Sequence, residues 1–268
     1  MQRIFYPSSE LAPFIRYYWT LDVCSPSGLS HVQRIIPTGC PELLFYLRNE
    51  PVYHRNGKTE SANAYLCGQQ TDFYDVEVNG TNEMVSVVFQ PWGIRSFFDF
   101  PAVELWNQSV PLELILKDES AEIEDRLSSS KSRVEQIGII ESWLLRRLDD
   151  KPRHNIRRLS AAMHKLSKTD GLATVDEMAS VSCLSRKQME RVFADVVGLL
   201  PKRYLRIIRL QRSLHQFQES PRLSITEVAI DSGYYDQSHM IDEYKKFTGY
   251  TPGELLNICE PYSDFFSV

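Results

Sequence analysis

Thr174-Val175-Asp176-Glu177-Met178-Ala179 and Ser224-Ile225-Thr226-Glu227-Val228-Ala229 are two versions of one hexapeptide, set 50 positions apart. Each opens with Ser or Thr followed three residues later by Glu, the pair whose side chains cap each other's backbone N–H at a helix start. Each ends on Ala, small enough for a second helix to cross closely. Further on the offset becomes 51: Met189 with Met240, Phe193 with Tyr244, Gly198 with Gly249, Pro201 with Pro252. One residue has been added in the turn between the paired helices of the second copy. Two copies are too few for a solenoid; they predict a duplicated helix-turn-helix.

Each copy reads as helix, tight turn, helix. In the first, a short helix over 174–181 leads through Ser182-Cys183-Leu184 to a second helix over 185–197, capped by Ser185 and stopped by Gly198. In the second, 224–231 leads through Ser232-Gly233-Tyr234-Tyr235 to a helix over 236–248, capped by Asp236 and stopped by Gly249. Met189, Val192 and Phe193, and then Met240, Tyr244 and Phe247, form the apolar stripes at spacings of 3 and 4. Residues 201–219 read as one connecting helix, apolar at Leu205, Ile208 and Leu210 and basic at Lys202, Arg203, Arg206, Arg209 and Arg212. Such a helix spans ~27 Å, compatible with two recognition helices about one DNA turn, ~34 Å, apart.

The run Leu184-Ser185-x3-Met189-x-Arg191-x-Phe193, then Gly198-x2-Pro201-x2-Tyr204 and Arg209-Leu210, continues as Ile225-x2-Val228-Ala229-x3-Gly233-Tyr234-x-Asp236-Gln237-Ser238-His239-Met240. It ends on Lys245-Lys246-x2-Gly249-x-Thr251-Pro252. In this order it resembles the DNA-binding domain of the AraC/XylS family of transcriptional regulators. The resemblance implies two helix-turn-helix units, each placing its second helix in the major groove of an asymmetric site on double-stranded DNA, with RNA polymerase as a further partner. It puts Ser185, Arg186, Lys187, Gln188 and Arg191 at the first recognition surface, and Gln237, Ser238, His239, Lys245 and Lys246 at the second. Gln suits adenine N6/N7, and His donates to guanine N7 or to phosphate. Solvated helix faces are the plain alternative for any one of these. Leu199-Leu200 and Asp242 depart from the family pattern, and the carboxylate of Asp242 is repelled by phosphate.

Charge supports a division of labour. The chain has a net charge of −5, but residues 1–150 hold 13 Lys and Arg against 21 Asp and Glu, while 185–213 hold 8 against 2. Phosphate attraction fades over ~8–10 Å, so local placement outweighs the total. Two domains are expected, 1–150 and 151–268, within an α+β chain: an N-terminal β-barrel, cupin-like domain with trailing helices, and an all-α C-terminal domain. Apolar content of 43% and the five scattered cysteines, with no C-x-x-C pair, suggest a soluble, cytoplasmic protein with reduced thiols. No signal peptide and no membrane span are expected.

The first half reads as short strands over 15–23, 32–36, 42–47, 64–68, 73–78 and 84–89, a short helix over 92–98, and helices over 111–128 and 132–150. Arg34-Ile35-Ile36-Pro37-x-Gly39-Cys40-Pro41-Glu42-Leu43 and Phe89-Gln90-Pro91-Trp92-Gly93 resemble the cupin-like domain found on some AraC-type regulators, which implies effector binding or dimerisation. Tyr18, Phe45, Phe89 and Trp92 are the candidate lining of an effector pocket; core packing explains the same rings. Val134, Ile137, Leu144 and Leu148 with Trp143 offer a homodimer seam, or simply pack on the barrel. His31 and His54 stand apart, no H-x-H occurs, and no nucleophile triad, P-loop or Rossmann turn is present, so neither metal, cofactor nor catalysis is expected. Three readings follow: a regulator controlled by a small-molecule effector, one whose first domain serves only dimerisation or docking of a partner protein, and a DNA-binding enzyme.

Overall fold

The computed structural model describes residues 2–24, 30–55, 58–148, 154–167, 173–220 and 222–258. Alternating apolar and polar residues in the first half produce ten strands among these: β1 (Gln2–Phe5), β2 (Ile15–Cys24), β3 (Ser30–Ile35), β4 (Glu42–Arg48), β5 (Val52–Arg55), β6 (Lys58–Glu60), β7 (Ala64–Cys67), β8 (Tyr74–Asn79), β9 (Thr81–Phe89) and β10 (Ser109–Pro111). They form two antiparallel sheets, ordered β1-β2-β9-β4-β7-β10 and β3-β8-β5-β6. Side chains alternate across each strand, so the larger sheet has two distinct faces. Tyr17, Trp19, Leu44, Tyr46, Met84 and Val88 face the smaller sheet. Tyr18, Leu43, Phe45, Val85, Val87 and Phe89 face the trailing helices.

Those helices are α1 (Leu112–Leu116), α2 (Asp118–Ser128) and α3 (Arg133–Arg147). The continuous helix expected over 111–128 is broken at Lys117, whose φ is 50°. The stripe expected as a dimer seam is used within the chain: Ile137, Trp143 and Leu144 are buried against the larger sheet, and only Val134, 71% exposed, faces outward. Residues 92–98 form turns with a short 3₁₀ segment, Ile94–Ser96, rather than an α-helix.

The C-terminal helices are α4 (His154–Ser167), α5 (Val175–Val181), α6 (Arg186–Val197), α7 (Pro201–Glu219), α8 (Ile225–Asp231), α9 (Gln237–Thr248) and α10 (Pro252–Ile258). Both expected recognition helices are present. Reciprocal caps start α5 and α8 at Thr174–Glu177 and Ser224–Glu227. Ser185 and Asp236 cap α6 and α9. Gly198 and Gly249 close them in the left-handed region, at φ 90° and 79°, where L-residues meet a Cβ clash. The added residue of the second copy is identifiable. Leu184 N donates to Ala179 O and Tyr234 N to Ala229 O, both at 2.9 Å, so the copies stay matched to that point; the caps then fall at 185 and 236. Tyr235 is the insertion, and it is 86% exposed. The expected boundary between domains at 150/151, and residues 259–268, lie outside the described residues. Among the described residues no helix is long and apolar enough to cross a membrane.

Candidate nucleic-acid interface and inter-sheet cavity

Packing decides which side chains of α6 and α9 are free to meet DNA. The apolar stripes Met189, Val192, Phe193 and Met240, Tyr244, Phe247 are buried in one core with α7. Arg186, Lys187 and Arg191 are consequently exposed on α6, and Ser238, Lys245 and Lys246 on α9. Arg186 lies 3.4 Å from Asp176 and 3.7 Å from Glu190, exposed pairs that contribute little. Arg191 has no ion-pair partner among the described residues. Ser185 and Gln188 are engaged with each other: Ser185 Oγ accepts from Gln188 N at 3.3 Å, and Ser185 N donates to Gln188 Oε1 at 3.0 Å. Gln237 Oε1 accepts from Thr226 Oγ1 at 2.8 Å. His239 is turned toward the body of the domain, edge-on to Tyr234 at 5.5 Å and with Nε2 3.5 Å from Glu243.

The connecting helix α7 is less available than its charge suggests. Glu243, 5% exposed, accepts from Arg206 Nε at 2.6 Å and Arg209 Nη2 at 3.0 Å. Arg206 also lies over Phe247, and Arg209 over Tyr234. Arg203 stacks on Trp106 of the first domain at 4.3 Å. Three of the five basic residues of α7 are therefore structural, holding α9 and the first domain in place.

The two domains share a packed junction. Both stop glycines touch the first domain: a Cβ at Gly198 would lie 2.8 Å from the carbonyl oxygen of Ala102, and one at Gly249 would lie 2.6 Å from Arg34 Nη1. Arg34 is sandwiched by Phe73 at 4.1 Å and Tyr250 at 4.7 Å. It makes a two-pronged pair with Asp75 at 2.8 and 3.0 Å and donates to Thr248 O at 3.4 Å. Gln211 Nε2 donates to Pro37 O at 2.7 Å, and Ile36 is buried in the core of the second domain.

Between the two sheets lies a cavity of about 100 Å³. Its walls are Trp19, Leu44, Tyr46, Tyr53, Tyr74 and Met84, closed at one side by Ile35, Ile36, Thr38 and Cys40. Glu42 also lines it. Its carboxylate accepts from Ser86 Oγ at 2.8 Å and from the Trp19 indole. Burial pushes the Glu42 carboxyl above its ordinary range, and those two donors partly oppose the shift.

None of the four rings expected to line an effector pocket lines the cavity between the sheets, although Trp92 lines a separate hollow with Pro13, Phe14, Leu148 and Ile156. Tyr18, Phe45 and Phe89 point to the other face of the larger sheet, where Tyr18 Oη donates to Glu141 at 3.2 Å and Phe89 packs on Phe97. Trp92 donates to Pro13 O at 2.9 Å and meets His164 at the junction. The cavity uses their strand neighbours, since a step of one residue reverses the face. The alternation of polar Glu42 and Ser86 with the apolar residues of the opposite face was the available signal.

Two family models match the chain: a domain of unknown function, DUF6597, over residues 3–111, and a helix-turn-helix domain over residues 178–258. The transcriptional regulator ArgR of Pseudomonas aeruginosa is 32% identical over 84 residues, 31% of this chain and 25% of that protein. MtrA of Neisseria gonorrhoeae, also an HTH-type transcriptional regulator, is 28% identical over 121 residues, 45% of this chain and 36% of that protein. The chain thus spans well under half the length of these relatives. The structure of ToxT from Vibrio cholerae bound to (E)-4-(8-methylnaphthalen-1-yl)but-3-enoic acid is similar over 90% of this chain and 98% of that one, with 11% identity and a TM-score of 0.49. The helix-turn-helix match falls on the two helix pairs, so residues 178–258 of this chain are similar to a helix-turn-helix domain of HTH-type transcriptional regulators, while residues 3–111 match a domain of unknown function.

Proposed function

We propose that the chain is a sequence-specific DNA-binding transcription regulator whose affinity for DNA is set by a small molecule held between the sheets of the first domain. One observation carries the second half of this reading. Residues 33–40 form a cavity wall on one side and the docking surface for α7 and the end of α9 on the other: Gln33 and Ile35 line the cavity, while Arg34 between them reaches Thr248 and Tyr250. A ligand that moves this segment changes the energy of the docked state, which is the requirement for coupling two sites. A domain used only for dimerisation has no need of a cavity against the docking segment.

Binding itself has a clear test. Six exposed basic residues, Arg186, Lys187, Arg191, Lys202, Lys245 and Lys246, are available for phosphate or base contacts. With four to six phosphate contacts, the log–log dependence of affinity on salt has a slope of roughly −4 to −5. Fluorescence anisotropy with duplex DNA between 50 and 300 mM salt measures it, and a slope near zero would remove the DNA-binding reading. On a target chosen by selection from random duplexes, Arg191→Ala is expected to weaken binding by about 1–3 kcal/mol and to relax the preference at one base pair. An equal loss on every sequence would reassign Arg191 to a phosphate.

A further inference from the structure

The cavity is chemically one-sided. Among the described residues that line it, Glu42 is the single carboxylate, and none is Lys, Arg or His. Among the described residues no cation pairs with Glu42, whose two partners are the neutral donors Ser86 and Trp19. Glu42 is half-buried; a carboxylate drawn out of water with no counter-charge is costly, and it shares the cavity with electron-rich rings. Trp19, Tyr46, Tyr53 and Tyr74 all line the same space, Tyr53 and Tyr74 stacked at 5.7 Å and Tyr46 and Tyr53 joined through their hydroxyls at 3.0 Å. The Ser86 and Trp19 donors stabilise the charged form of Glu42 rather than neutralise it. A second acceptor, Asn82 Oδ1, is buried on the same wall without a partner among the described residues.

We infer that the cavity is a binding site for a small organic cation, a primary or methylated ammonium with a compact apolar body, held by the Glu42 carboxylate and the faces of Trp19, Tyr46, Tyr53 and Tyr74. The charge supplies what Glu42 lacks, and the aromatic faces attract a cation through their quadrupoles. The apolar remainder of the wall, Leu44, Val76 and Met84, takes the hydrocarbon part. Size is limiting: an apolar cavity of ~150 Å³ admits benzene, so this one, about 100 Å³, selects compact molecules. Glu42 stands two residues from Cys40 at the docking segment, so the charged end of the ligand lies toward the second domain. This inference rests on the effector reading and assigns its ligand class.

Two probes of one shape, tert-butylammonium and tert-butanol, separate charge from fit, and the somewhat larger pivalate reverses the charge. Calorimetric titration of the full chain is expected to show tert-butylammonium binding at least tenfold more tightly than tert-butanol, with pivalate weakest. In Glu42→Gln the preference for the cation over the alcohol should disappear, while Glu42→Asp, which keeps the charge and most of the packing, should retain a reduced preference. If the alcohol or pivalate binds the wild type as well as the cation does, or none of the three binds, the cation assignment is overturned. Binding of the alcohol or pivalate that also shifts DNA affinity would leave the effector reading standing without it. Cation binding that is abolished in Glu42→Gln but leaves DNA affinity unchanged would support the site and defeat the effector reading.

Discussion

Glu243→Ala is expected to destabilise the C-terminal domain by about 3 kcal/mol, seen as a lower urea midpoint. Removing one partner of a buried charge cluster costs ~3–5 kcal/mol because the remaining charges stay unpaired. The Glu243 side chain is 6% exposed, whereas those of Arg206 and Arg209 retain 30% and 23%. The arginines recover some hydration when the carboxylate is gone, which holds the loss to the lower end of that range. Glu243→Gln preserves volume and one acceptor, so roughly half the loss is expected. The effect should extend to DNA, since Arg206 and Arg209 fasten α7 to α9 and His239 leans on the same carboxylate at 3.5 Å. An unchanged midpoint in Glu243→Ala would show that these contacts are surface pairs of little weight.

Gly198→Ala is expected to cost about 2–5 kcal/mol, and more than Gly249→Ala. Both sites carry a left-handed φ, which adds ~1–2 kcal/mol for a residue with a Cβ. Their surroundings differ. At Gly198 the new atom meets the Ala102 carbonyl oxygen at 2.8 Å and its carbon at 3.2 Å, and backbone cannot rotate aside. Overpacking of this kind adds ~1–3 kcal/mol and acts between the domains. At Gly249 the first atoms met are the Arg34 guanidinium end at 2.6 Å and the Phe73 ring at 3.0 Å, side chains that can give way. Calorimetry should show the variant's melting broaden or split as the junction opens. Equal costs at the two glycines would mean that φ alone sets the penalty and that the contact with Ala102 is relaxed.

The C-terminal half was legible because its signals are local. A Ser or Thr three residues before Glu, a Gly one residue beyond an apolar stripe, and Pro201 at the first position of α7 each specify a backbone event within one helical turn. The short strands β1, β5, β6 and β10 gave no such signal, being three or four residues long and held by pairing with other strands. The break at Lys117 was hidden for a similar reason: lysine carries no preference for φ near 50°, and tertiary packing imposes it. The cavity was misplaced by one residue on each strand. Aromatic character marks Tyr17, Tyr18 and Trp19 alike, and only the pairing register sends Trp19 inward and Tyr18 to Glu141. The connecting helix shows the opposite limit. Its arginines look alike in sequence, and only the fold reveals that Arg206 and Arg209 converge on Glu243.

The double duty of residues 33–40 has a consequence for inheritance. A segment that is both wall and dock cannot change for one purpose without being tested for the other. In a genetic selection for alleles that no longer respond to their signal, substitutions on the cavity floor, such as Tyr53 or Val76, should yield regulators that are deaf but otherwise normal. Substitutions at Arg34, Ile36 or Gly39 should instead yield regulators locked in a single output, whichever state the undocked junction favours.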